Sequence, residues 1–181
     1  MDFIKIISEI RDGNAKSFKL LYDAYSSKFK GIAYRYTNDS SVANDMVQES
    51  FIKIYKNINS YKGDGNFEGW MKRILINNCL NNIKKEKKYT FEISDVLLDR
   101  PSSEWDEAID ALSFDEILVL VNKLPIGYKT VFNLSVFEGY AHKEIGELLG
   151  ISESASRSQL TKAKSKLKEE LKNINIFSSR A

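Results

Sequence analysis

Two stretches of this 181-residue chain carry side chains of the types and spacing that contact nucleic acid. The first covers residues 59–88. Tyr61 and Phe67 flank a loop reading Asn-Ser-Tyr-Lys-Gly-Asp-Gly-Asn over 59–66. Behind it, residues 70–88 hold Lys72, Arg73, Lys84, Lys85, Lys87 and Lys88 against one acid, Glu86, together with Asn77, Asn78, Asn81 and Asn82. Amides hydrogen-bond base edges, and aromatic rings stack on unpaired bases. Asparagine is a mediocre helix former, so two pairs one turn apart imply a use other than propensity. The bland alternative makes Tyr61 and Trp70 loop or core anchors and the asparagines merely solvated. For Trp70 that alternative weighs at least as much; for Asn77 with Tyr61 the balance favours nucleic-acid contact.

The second stretch is Glu144-Ile145-Gly146-Glu147-Leu148-Leu149-Gly150-Ile151-Ser152. It has the pattern of a helix-turn-helix. Gly146 lacks a side chain where the second helix crosses closely, and Gly150 permits the tight turn. Ile145, Leu149 and Ile151 supply a small shared core, and Ser152 or Ser154 can cap the second helix. That helix carries Arg157, Ser158, Gln159, Thr161, Lys162 and Lys164, with Arg157, Thr161, Lys164 and Lys168 on one face. Such a face puts Arg, Ser and Gln near base edges and Lys near phosphate. Its bland counterpart is an ordinary helical hairpin with a solvated lysine face. Ser156 stands where a buried aliphatic residue is more usual, which predicts looser packing or a slight rotation of the helix.

Little else in the chain could do chemistry. Cys79 is the one cysteine and His142 the one histidine, so no intramolecular disulfide, Cys-based metal cluster or conventional Ser–His pair stands out. His142 reads as DNA-proximal or solvated. No cofactor site and no small-molecule substrate is indicated. The start, with Asp2 and Lys5, is not a secretory signal, and no apolar run reaches the length of a membrane span.

The elements that must position these residues are helices. Hydrophobic residues make up 43% of the chain, enough for a core, while only two prolines interrupt it. Apolar spacing predicts helices from Asn14 to about Tyr36, from Ser40 or Ser41 to about Asn57, and from Phe67 or Glu68 to about Lys88. In the last, Trp70, Ile74, Cys79 or Leu80, and Ile83 suit the buried side. Further helices are expected over 114–122, 126–137, 142–149 and 154–172, with Leu134, Val131 and Phe137 or Val136 inward. Nothing reads as a strand; the fold class is all-α, two small helical domains.

Charge divides the chain in the same way. The formal net of +2 conceals a net of +5 over 1–87, −5 over 88–113 and +2 over 114–181. An acidic segment separating two basic parts reads as domain–linker–domain. The boundaries are 1–88, a flexible linker over 89–113, and 114–181.

In combination these motifs resemble an extracytoplasmic-function (ECF) sigma factor of the sigma-70 family, along nearly the whole chain. The resemblance rests on Asp45-Met46-Val47-Gln48-Glu49-Ser50-Phe51, on residues 60–64 followed by Phe67, on Trp70 through Ile74 with Asn77, on Leu124-Pro125, and on the helix-turn-helix. It implies that Asp45, Gln48, Glu49 and Phe51 dock on core RNA polymerase. It places Tyr61, Lys62, Gly63 and Asp64 in a loop that captures a flipped base of the −10 element, with Lys72, Arg73, Asn77, Asn81 and Lys84 along that element. Arg157, Ser158, Gln159, Thr161, Lys162 and Lys164 would bind the −35 element. It further implies a cytoplasmic protein without catalysis of its own, whose partners are core polymerase, promoter DNA and an anti-sigma factor.

Two other readings compete. A free-standing helix-turn-helix regulator with an N-terminal ligand- or partner-binding domain explains 114–181 but leaves the loop and the Asn/Lys helix without a use. An enzyme lacks a nucleophile–base pair, metal cluster or phosphate loop.

Overall fold

The computed structural model describes residues 2–63, 65–85 and 113–178, with side chains omitted at 114 and 172–178. The chain divides into two compact units, Met1–Glu86 and Lys87–Ala181. Among the described residues every regular element is helical.

The first unit holds α1 (Phe3–Arg11), α2 (Ala15–Thr37), α3 (Ser40–Asn57), a single 3-10 turn (Ile58–Ser60) and α4 (Phe67–Lys85). Asn14 caps α2 through its side chain, as its type and position imply. Asn38 ends α2 in the left-handed region at φ 56°, a conformation asparagine tolerates. The cap of α3 is Asp39, whose carboxylate accepts from the amides of Ser41 (2.7 Å) and Val42 (3.0 Å), so neither Ser40 nor Ser41 caps it. An ionised oxygen at a helix N-terminus outcompetes a serine hydroxyl one residue later.

The core of this unit is aromatic and aliphatic: Leu21, Phe29 and Tyr36 from α2, Phe51 and Ile54 from α3, and Met71 and Leu75 from α4 are all buried. The buried face of α4 is wider than its sequence suggests. Cys79, Leu80 and Ile83 face inward as expected, but Trp70 and Ile74 are only half-buried, and Phe67, Met71, Leu75 and Ile76 are covered instead. The reason is that α4 packs against both α2 and α3, so two apolar stripes are buried rather than one. Helix α1 was not among the expected helices, although Asp2 as a cap and Phe3, Ile6, Ile7 and Ile10 at three- and four-residue spacings mark it. It is nine residues long, capped by Asp2, and buries Ile7 and Ile10.

The second unit holds α5 (Phe114–Lys123), α6 (Ile126–Phe132) running on into a π-turn (Asn133–Phe137), α7 (His142–Leu149) and α8 (Glu153–Ser178). Ser113 and Glu116 form a reciprocal capping box on α5, and the serine's hydrogen bonds hold the Glu116 carboxyl below its usual range. The core joins Leu120, Val121 and Leu124 to Phe132 and to Ala163, Leu167 and Leu171 of α8. In the π-turn the amide of Glu138 donates to the carbonyl of Asn133 over 3.0 Å. This wider turn rolls Phe137 against Phe132, with ring centres 5.6 Å apart, and leaves Val136 exposed. The expected acidic linker and the end of the Lys-rich helix, residues 86–112, lie outside the described residues.

Candidate nucleic-acid interface

The outer face of α3 presents Asp45, Gln48 and Glu49 to solvent. Phe51, grouped with them from the sequence, is 2% exposed and does not belong there. Its ring packs against Phe18, Tyr22 and Phe29, the nearest centre at 4.8 Å. The residue that continues the exposed face is Ile52, at 53% exposure. The spacing 45, 48, 49, 52 is one helical stripe, so this was legible in principle.

Behind α3, Asn78 connects the helix to α4. It is buried, its Nδ2 donates to the Met46 carbonyl at 3.2 Å and the Ser50 hydroxyl at 3.4 Å, and its Oδ1 accepts from Lys53. One of the four asparagines is therefore an internal bolt. Asn77, one residue before it, is half-buried; with Arg73, Asn81 and Lys84, which are exposed, it recurs every three or four residues along one side of α4. Lys72 is half-buried, and its charge helps hold Glu68 ionised. The larger influence on Glu68 is the hydrogen bond from Lys28 of α2, which depresses the carboxyl and raises the Lys28 ammonium in turn. Tyr25 donates to the same carboxylate at 3.3 Å.

The loop between α3 and α4 is built around Tyr61. Its ring is 7% exposed and lies against Phe67 (5.0 Å) and Trp70 (5.5 Å), and its hydroxyl donates to the Gly65 carbonyl at 2.7 Å. The expectation of an exposed aromatic platform for a base is therefore corrected: in the free chain Tyr61 is a buried anchor of the loop. Lys62 and Gly63 stand exposed at the tip; Asp64 lies outside the described residues. Gly63 and Gly65 have φ of 85° and 90°, which other residues adopt only with strain.

In the second unit, α7, the turn and α8 form the expected helix-turn-helix. A Cβ on Gly146 would come within 2.7 Å of the Ile151 carbonyl oxygen, so the close approach is from the turn backbone. Gly150 has φ 74°, and its amide and that of Ile151 both donate to the Gly146 carbonyl. Ser152 caps α8, accepting from the Ala155 amide at 3.0 Å. With Ala141 at the start of α7, only Glu144 serves that end, its carboxylate accepting from the Ala141 amide at 2.8 Å.

Along α8, Arg157 is exposed and held by Glu153 one turn earlier, at 2.5 Å. Ser158, Thr161, Lys162 and Lys164 are half-buried, and the Thr161 hydroxyl donates to the Arg157 carbonyl at 3.1 Å. Gln159 is a correction: it is buried at 6% exposure, with its Oε1 directed at Gly127 of α6. Position 159 falls on the core side of the helix, between Ser156 and Ala163, where no base can reach it. Ser156 is fully buried, and its hydroxyl meets Nδ1 of His142 at 2.9 Å. The serine that stands in place of an aliphatic residue thus has a hydrogen-bond partner. His142 itself is half-buried; burial, then the nearby Arg157 charge, lowers its pKa, with Glu153 opposing.

Among the described residues there is no cluster of metal-ligating side chains, and no helix is long and apolar enough to cross a membrane.

Comparison with known proteins matches residues 21–89 to sigma-70 region 2 and residues 114–167 to sigma-70 region 4. The chain is similar to an ECF RNA polymerase sigma-E factor of Haemophilus influenzae, 27% identical with 93% of this chain and 95% of that protein covered. It is also similar to the ECF RNA polymerase sigma factor SigW of Bacillus subtilis, 25% identical with 94% and 97% covered. Two solved structures share the fold. One is the sigma factor RpoE in complex with the anti-sigma factor NepR from Bartonella quintana, with TM-score 0.56, 18% identity and 87% and 98% coverage. The other is CnrH in complex with the cytosolic domain of CnrY, with TM-score 0.54, 19% identity and 93% and 96% coverage.

Proposed function

The chain belongs to the sigma-70 family and is an RNA polymerase sigma factor of the ECF group, and on that premise we propose how its residues divide the work. Residues 1–88 bind core polymerase and the −10 element, residues 114–181 bind the −35 element, and the acidic segment 89–113 tethers them. The exposed stripe of Asp45, Gln48, Glu49 and Ile52 docks on core polymerase. Lys62, Gly63 and, next in sequence, Asp64 take up an extruded base, and Lys72, Arg73, Asn77, Asn81 and Lys84 follow the melted strand. Arg157 and Ser158 address base edges of the upstream element, with Thr161, Lys162 and Lys164 beside them and on phosphate.

The observation that carries this reading is the side of α4 where Arg73, Asn77, Asn81 and Lys84 align behind a two-glycine loop. A free-standing regulator has no use for that surface. Unpairing and unstacking a base costs a few kcal/mol. A loop that receives one base and cations that follow the strand offset part of it. Each module binds weakly by itself, and joining them raises the effective concentration of the second once the first is bound.

The protein acts in the cytoplasm and performs no catalysis itself. It is silenced by an anti-sigma factor, a reading supported by the fold relative seen in complex with the anti-sigma factor NepR. Run-off transcription with purified bacterial core polymerase and a pool of genomic promoters tests the function. Promoter-dependent transcripts above core alone are expected; their absence at every salt concentration tried refutes it.

A further inference from the structure

In the loop between α3 and α4, Gly63 and Gly65 both take positive φ, and glycine has the most backbone freedom to lose on ordering. Helix α1 holds this loop from outside. The Arg11 guanidinium reaches from the last turn of α1 and donates to the carbonyls of Ile58, at 3.3 Å, and of Tyr61. These two carbonyls bracket the entry to the loop. At the exit, Phe67 is pinned by Phe3 from the other end of α1, with ring centres 5.6 Å apart. Tyr61, whose carbonyl Arg11 holds, closes the loop on itself through its bond to Gly65. The match to region 2 begins at residue 21, so α1 lies wholly before it.

We propose that Arg11 is a positioning residue for base capture: by clamping the Ile58 and Tyr61 carbonyls, it presets the loop in the conformation that receives the extruded base. This rests on the reading of the loop as a base-capture site. Preorganisation of this kind removes an ordering cost at the moment of binding. One guanidinium nitrogen, Nη2, donates to both carbonyls, and the planar group that carries it is preorganised, so less freedom is lost per bond formed. Loss of the clamp weakens capture without removing any group that touches DNA.

The test uses holoenzyme reconstituted from the full chain and core polymerase. Affinity is measured for promoter fragments carrying a pre-melted −10 bubble, intact or with one non-template base at a time removed. Wild type is expected to lose affinity when the captured base is absent. R11M, which keeps the apolar stem but no donor, is expected to bind the intact bubble about tenfold more weakly and the base-deleted bubble as well as wild type does. Equal weakening on both templates would make Arg11 a mere stabiliser of the fold and overturn the proposal, as would R11M binding like wild type on both. If no base deletion affects the wild-type protein, the base-capture reading itself fails, a result distinct from the other two. Should R11M lose its helical circular dichroism, R11Q, which stays polar but is two atoms shorter and carries no charge, takes its place in the same cycle. A partial deficit confined to the intact bubble supports the clamp; none, or one shared by both templates, overturns it.

Discussion

His142 Nδ1 lies 2.9 Å from the hydroxyl of Ser156, and this contact joins the first turn of α7 to the buried side of α8. It makes the serine a specific partner rather than a defect in the core. A buried hydroxyl without a partner costs about 1–3 kcal/mol, and here the imidazole meets it. A hydroxyl both donates and accepts, so either tautomer of the ring satisfies the pair. The two residues together set how the exposed face of α8, with Arg157 at its start, is presented.

A pH dependence follows from this pair. The unfolded chain carries a histidine of ordinary pKa, 6.5, whereas burial and Arg157 lower the folded value. The unfolded state thus binds the proton more readily. His142 contributes its stability in full above pH 6.5, and the contribution fades as pH falls from there through the folded value. Thermal melts of wild type and H142Q from about pH 8 to about pH 5 should converge at the acid end. S156A should cost about 1–2 kcal/mol at neutral pH. Parallel melting curves for wild type and H142Q would contradict the assignment.

Gly146→Ala should be more damaging than Gly150→Ala. The added Cβ at 146 meets a backbone oxygen at 2.7 Å, so the turn itself must shift. A cost of about 2–3 kcal/mol is expected there. At 150 a Cβ finds open space, and the penalty is the left-handed φ alone, about 1–2 kcal/mol. Urea unfolding of the two variants checks the order, and the reverse order would count against the geometry of the turn.

Neighbouring asparagines should separate stability from promoter binding. Asn78→Ala removes partners of Lys53, Ser50 and the Met46 carbonyl and should destabilise the chain by about 1–3 kcal/mol. Asn77→Ala should leave the melting temperature nearly unchanged while weakening binding to a single-stranded −10 oligonucleotide by holoenzyme. Equal effects of both variants on stability would disprove the distinction.

On α8, Arg157→Ala should lose about 1–3 kcal/mol of discrimination among upstream sequences. Gln159→Ala should leave that discrimination intact, because its amide is buried beside Gly127. Competition binding by holoenzyme over a set of single-base −35 variants measures both. A changed base preference in Q159A would return that residue to the interface.

Much of this was legible in one dimension. The cap at Asn14, a serine cap on α8, the bounds of α7 and the two-glycine turn depend on a residue and its near neighbours, and local chemistry decides them. The misplacements share another cause. Phe51, Tyr61 and Gln159 have side chains suited to contacting a partner, and each is taken by the protein's own interior. Which of two uses an aromatic or an amide finds depends on the helix packed against it, and that helix is distant in sequence.

The order of residue types by itself determined an all-helical chain, the helix-turn-helix and the family. Tertiary structure alone decided that Asn78 is a bolt while Asn77 is not, that Ser156 has a histidine for a partner, and that Arg11 reaches 50 residues along the chain to hold the Tyr61 carbonyl. Helical periodicity is a property of neighbours three and four residues apart. A hydrogen bond between helices depends on their docking, which only the assembled core specifies.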